Sequence, residues 1–165
     1  MLFRSGAYGG RADIMDLIAP QGPVYQAGTL AGNPLAVAAG IAMLEELKRR
    51  TVLYTELDGR AARLAEGLQE IAVEMRIPTC VNRVGSMLTL FFTPGPVTDW
   101  ATADACSRSR FARFFQLMLD RSVLLPPSQF EAWFVSAAHT DKDVDTTLEA
   151  AEAAFLVLAQ EAAAK

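Results

Sequence analysis

Apolar and polar positions change period several times along this chain, and each change marks an element. Past Pro34, the residues Leu35, Ala38, Ile41, Ala42 and Leu44 fall three and four apart, the spacing of one helical face. Asn33 suits the N-cap of that helix and Pro34 its first position. On the polar side Glu45 and Arg49, and Glu46 and Arg50, lie four apart, and such pairs add only about 0.3 kcal/mol each. A longer helix is expected over residues 51–75, with Leu53, Leu57, Leu64, Leu68 and Ile71 inward and Pro78 just beyond it. Upstream, residues 11–18 predict one short helix, stopped by Pro20 and the Gly22-Pro23 pair, and the glycine-rich residues 6–10 predict a short strand or turn.

From Pro78 the texture changes. Residues 79–84 and 87–92 read as strands, the second apolar enough to be central in a sheet. Thr93-Pro94-Gly95-Pro96 breaks the run. Residues 104–121 predict an amphipathic helix with Phe111, Phe114, Phe115 and Met118 on its core side. Residues 123–125 and 133–138 predict two further strands, either side of Pro126-Pro127. Thr140 and Asp143 have the spacing of a capping box with Asp in place of Glu. The last helix then runs to about residue 163, with Val144, Leu148, Ala151, Phe155 and Leu158 inward. This order predicts an α/β protein in three parts. Residues 1–50 end a larger α/β domain, 51–77 form a linking helix, and 78–165 form a small α+β domain.

Composition narrows the function classes. With 52% hydrophobic and 21% charged residues, the 165-residue chain has the material for a packed core. A formal net charge of -4 gives no basic footprint for nucleic acid, and no apolar run has the length of a membrane span. Cys80 and Cys106 read as free buried thiols of a reducing compartment. With His139 as the single histidine, no metal-ligand set is expected. The start, Met1-Leu2-Phe3-Arg4-Ser5, is too short for a targeting segment.

Two places carry candidate chemistry. Gly28-Thr29-Leu30-Ala31-Gly32 sits just before the well-capped helix, where backbone N–H groups and the positive end of the helix dipole favour an anion. Glycine lets the backbone approach a phosphate, and the Thr29 hydroxyl adds a donor. Many glycine-rich loops precede helices and bind nothing, so spacing alone leaves both readings open. Glu131 lies between Phe130 and Trp133, either as a surface glutamate or as a carboxylate able to handle protons or an amine. His139 reads as a structural residue at a strand end, and Ser86 and Ser128 have no local histidine or acid for a hydrolase triad.

Several blocks in order carry a resemblance. They include Gly6-Ala7-Tyr8-Gly9-Gly10-Arg11, Gly22-Pro23-Val24-Tyr25-Gln26-Ala27-Gly28-Thr29-Leu30 and Gly32-Asn33-Pro34. Later come Phe91-Phe92-Thr93, Arg113-Phe114-Phe115, Ser128-Gln129-Phe130-Glu131-Ala132 and Ala138-His139-Thr140. Together they make residues 6–155 resemble the class-III aminotransferase family of pyridoxal-phosphate enzymes, and within it the aminomutase branch. The resemblance implies the C-terminal part of a fold-type-I pyridoxal-phosphate transferase, a homodimer with active sites at the subunit interface. It implies that Gly28 and Thr29 contact the phosphate of the cofactor held by the other subunit, and that Glu131 lines the substrate site. The implied reaction moves an amino group within one small molecule. Glutamate-1-semialdehyde becomes 5-aminolevulinate, with pyridoxal 5'-phosphate and its pyridoxamine 5'-phosphate form in the cycle. That step serves tetrapyrrole synthesis, which implies a cytoplasmic protein, or one of the plastid stroma in a photosynthetic eukaryote. The alternatives are a class-III aminotransferase acting on another donor and acceptor, and a non-catalytic partner of a full-length subunit. Such enzymes hold the cofactor on a lysine, and neither Lys48, Lys142 nor Lys165 matches that position. The catalytic lysine and the aspartate at the cofactor ring are therefore expected upstream of Met1, and the chain alone is expected to be inactive. The chain departs from the family pattern at Ala31, usually serine, at Trp133, usually glycine, and at Pro126, usually alanine. Trp133 is expected either to narrow the substrate site or to repack the domain.

Overall fold

A computed structural model describes residues 8–163, which divide into one compact unit ending at Thr51 and a second beginning at Val52. Of the glycine-rich segment 6–10, residues 6 and 7 lie outside the described residues, and 8–10 form no regular element.

The first unit contains α1 (Ala12–Met15) and α2 (Pro34–Arg49). α1 is shorter than the periodicity predicts. Pro20 disfavours helical backbone in the residue before it, and the chain instead folds back. The Ala19 N–H donates to the Val24 carbonyl at 2.9 Å and the Val24 N–H to Leu17 at 2.9 Å, making a parallel bridge between Ile18 and Val24. α2 begins as expected, with the Asn33 side chain accepting from the N–H groups of Leu35 and Ala36 at 3.1 and 3.2 Å. Its apolar face differs from expectation. Only Ala36 is buried, while Leu35, Ile41 and Leu44 are all more than half exposed. On its polar side Arg49 pairs with Glu46 at 2.7 Å, one residue closer than the predicted Glu45.

The second unit holds α3 (Leu53–Glu74), β1 (Cys80–Val84), β2 (Met87–Phe91), α4 (Trp100–Asp104), α5 (Arg108–Leu119), β3 (Trp133–Phe134) and α6 (Asp141–Ala163). The three strands form one antiparallel sheet in the order β1-β2-β3, with Val81 opposite Leu90 and Leu88 opposite Trp133. β2 is central, as its apolar sequence predicts. Leu88 and Leu90 alternate inward from it, followed by Phe92. α3 packs on β1 and β2 and against α6, which in turn packs on α5. The helices bring Leu64, Leu68, Phe114, Met118 and Phe155 into one core with those strand residues. Within it Phe114 meets Phe155 at 5.0 Å and Phe92 at 5.6 Å between ring centroids, in tilted and edge-on arrangements that aromatic pairs favour.

Three expectations change here. The helix expected over 104–121 begins only at Arg108 as α5, and the unpredicted α4 precedes it and ends at Asp104. Asp99 caps α4 in a reciprocal box with Thr102, and Ser107 caps α5 while donating its own N–H to Phe92 at 3.1 Å. Between them Cys106 turns inward beside Phe91 and Val97, and burial pushes its thiol pKa up. The strand at 123–125 does not form. Ser122 has φ +64°, the Val123 N–H bonds back to Met118, and Pro126 has no donor to offer a ladder. β3 is two residues long because the Val135 N–H goes to Ser86 at 2.9 Å and a turn begins at Ser136. The capping box at α6 is present. The Thr140 N–H and hydroxyl both bond to Asp143 at 2.7 Å, holding that carboxyl below its ordinary value. Cys80 and Cys106 are both free thiols.

Candidate functional site

The Ile18–Val24 bridge anchors the segment that carries the glycine-rich loop. Gly22 makes the bridge possible, because a Cβ there would lie 2.3 Å from the backbone of Leu17. Beyond it the loop makes two successive turns, with Ala31 N–H bonded to Gly28 at 2.9 Å and Asn33 N–H to Leu30 at 3.1 Å. Gly32 completes the second turn at φ +74°, where a side chain would be strained, and so delivers Asn33 to its cap. These bonds leave the N–H groups of Gly28, Thr29 and Leu30, and the Thr29 hydroxyl, with no acceptor among the described residues. All are exposed, immediately ahead of a 16-residue helix. Four unpaired donors and the positive end of a helix dipole suit a phosphate group.

Glu131 belongs to the second unit. The turn that carries it is tied by Glu131 N–H to Ser128 at 3.1 Å and Phe130 N–H to the Ser128 hydroxyl at 3.2 Å. Gln129 is 3% exposed, the one buried polar side chain among the described residues, and its amide donates to the Ala103 carbonyl at 3.3 Å. Phe130 stacks on Trp100 at 4.9 Å, with the Arg108 guanidinium 5.3 Å from its ring centroid. Between these anchors Glu131 itself is exposed and makes no ion pair among the described residues. It is free to meet a cationic or amine group from solvent.

Sequence reasoning did not find the Gln129 anchor or the Trp100 stack. Trp100 lies on α4, whose one signal is the Asp99 to Thr102 spacing of its cap. Trp133 is 5% exposed, packs in the core opposite Leu88 and also lines a pocket of about 250 Å³ with Leu125 and His139. His139 is a turn residue. Its Nδ1 accepts from the Ser136 N–H at 2.9 Å and lies 3.0 Å from the Ser136 hydroxyl. No acid among the described residues orients its other nitrogen, so the pair is not a hydrolase triad. Among the described residues there is no cluster of metal-ligating groups and no helix long and apolar enough to cross a membrane.

Comparison with known proteins places this geometry in context. The family described as aminotransferase class-III matches residues 3–150. The chain is 56% identical over 155 residues to a glutamate-1-semialdehyde 2,1-aminomutase of Thermomicrobium roseum, covering 94% of this chain and 36% of that protein. It is also 56% identical over 150 residues to one of Anaeromyxobacter sp. strain K, covering 91% of this chain and 34% of that protein. The chain thus spans about a third of the length of the curated relatives it matches. The fold superposes on the crystal structure of a glutamate-1-semialdehyde-aminomutase from Pseudomonas aeruginosa in complex with PMP. There the TM-score is 0.68 at 24% identity, covering 82% of this chain and 30% of the other.

Proposed function

This chain belongs to the class-III aminotransferase family, and we propose that it forms the C-terminal third of a pyridoxal-phosphate-dependent aminomutase. The reaction proposed is conversion of glutamate-1-semialdehyde to 5-aminolevulinate, in tetrapyrrole synthesis. The observation that carries this reading is 56% identity, across nearly the whole chain, to proteins of that activity. In this reading the residues before Val52 end the cofactor-binding domain, α3 links the parts, and the sheet and remaining helices form the small domain. The protein is a cytoplasmic homodimer acting on a small molecule.

The residues present fit the cofactor. Gly28 and Thr29 carry the unpaired donors, and their position ahead of α2 favours its phosphate. When bound, pyridoxal phosphate supplies the electron sink for moving the amino group. The chain's own residues position and handle protons. Thr29 would offer its hydroxyl and N–H to the phosphate and so hold the group in place. Glu131, its turn held by Gln129 and the Phe130–Trp100 stack, offers a carboxylate to the amino group of the substrate.

The test uses a chimera in which this chain replaces the matching segment of the Thermomicrobium roseum aminomutase. Thr29→Val is expected to weaken pyridoxal phosphate binding about tenfold, the worth of one hydrogen bond to a charged group. Glu131→Gln is expected to lower kcat/KM about tenfold with cofactor affinity unchanged. Unaltered cofactor affinity in the first variant, or unaltered kinetics in the second, removes that residue from the site.

A further inference from the structure

We propose that the groove between the C-terminal ends of α3 and α6 and the first turns of α5 binds a small molecule that joins an oxyanion to an apolar body. The groove has a volume of about 720 Å³ and lies wholly within the second unit. Its lining includes the buried apolar side chains Ile77 and Leu158, and Arg76, Arg110 and Arg113 line it together. Glu161 is the one acid among its lining residues, and Arg113 holds it through Nε and Nη2 at 3.0 and 2.7 Å. Arg76 and Arg110 are exposed and have no acidic partner among the described residues. A chain of formal net charge -4 therefore gathers three guanidinium groups around one cavity whose lining holds one carboxylate, and the other carboxylate that acts on them, Asp120, faces Arg113.

Local structure favours neither free arginine where it stands. Arg76 closes α3 in the left-handed region at φ +55°, with Ile77 N–H bonded to Ala72 at 2.9 Å. Glycine relaxes at that position and any side chain is strained there. Arg110 sits in the first turn of α5, where the helix dipole disfavours a cation. Both side chains line the same groove, and Ser109 adds a hydroxyl beside them. Planar guanidinium forks match phosphate and carboxylate oxygens two at a time, and Ile77 and Leu158 offer apolar surface to a ring or short chain. The competing account is that Arg76 merely offsets the negative ends of α3 and α6, and the test separates the two.

The 165-residue chain is titrated calorimetrically with phenyl phosphate and with phenylacetate, which distinguish phosphate from carboxylate, and with benzyl alcohol as the neutral control. Saturable binding of at least one anion is expected, weakened about tenfold in both Arg110→Ala and Arg76→Gly. Arg76→Gly is also expected to melt at or above the temperature of the parent, because it relieves the left-handed strain. Three results overturn the proposal. They are equal binding by the parent and both variants, binding of benzyl alcohol as tight as the anions, and a lower melting temperature for Arg76→Gly, which would make Arg76 a structural cap.

Discussion

Incubated with pyridoxal phosphate and reduced with borohydride, the purified 165-residue chain is expected to gain no stoichiometric cofactor mass and to turn over no glutamate-1-semialdehyde. The chemistry needs a lysine that joins the cofactor and shuttles protons in a water-poor site. The chain has Lys48, Lys142 and Lys165. Lys48 is exposed in the last turn of α2, where it offsets the negative end of the helix. Lys142 is exposed in the first turn of α6. Both side chains are open to solvent, and neither is desolvated in an apolar pocket of the kind that activates a Schiff-base lysine. The expected loss relative to a full-length relative is therefore complete. Intact mass after reduction, followed by peptide mapping, reads it directly. One lysine labelled to full occupancy, with turnover, would overturn the account.

The second large effect concerns stability. Phe155→Ala is expected to destabilise the second unit by about 4 kcal/mol, since a fully buried aromatic loses both its transfer energy and the contacts around the cavity it leaves. The side chain has 0% exposure and sits between Phe92 and Phe114, where α6 meets α5 and the end of β2. The neighbouring change Leu156→Ala is the control. Leu156 is 46% exposed, and its loss is expected to cost about 0.5 kcal/mol or less. Urea unfolding monitored by far-ultraviolet circular dichroism checks both. Equal midpoints for the two variants would show that Phe155 is not the centre of the core.

The residues that built the fold most strongly were those whose local chemistry and tertiary role agree. Asn33-Pro34, the Leu64 and Leu68 stripe, the apolar β2 and the Thr140–Asp143 box all formed as the sequence implies. The divisions at Cys106-Ser107 and at Val123–Leu125 were not legible, because each depends on a bond across the fold. Ser107 starts a new helix once its N–H reaches Phe92, and Val123 leaves the sheet once its N–H returns to Met118. The α2 face shows the opposite limit. Its periodicity is real, yet Leu35, Ile41 and Leu44 stay exposed, since spacing says which residues share a face and nothing of what covers it.

The candidate site divides the same way. The loop around Gly28 and Thr29 is readable because its turns, its glycines and the helix cap that follows are all local. Glu131 is readable as a residue type, but not its support. The Gln129 amide reaches Ala103, 26 residues back, and Phe130 needs Trp100 from a helix whose only announcement is its cap. The burial of Trp133 in the core was legible only as one of two readings of a bulky residue beside Glu131.

The central claim is that this chain supplies the C-terminal third of an aminomutase. It is tested most directly by giving the Thermomicrobium roseum chimera glutamate-1-semialdehyde with no external amino donor or acceptor and measuring 5-aminolevulinate. The account predicts sustained formation of 5-aminolevulinate at a rate within about tenfold of the parent enzyme. A folded, cofactor-loaded chimera that forms none, yet exchanges amino groups with added keto acids, would contradict it.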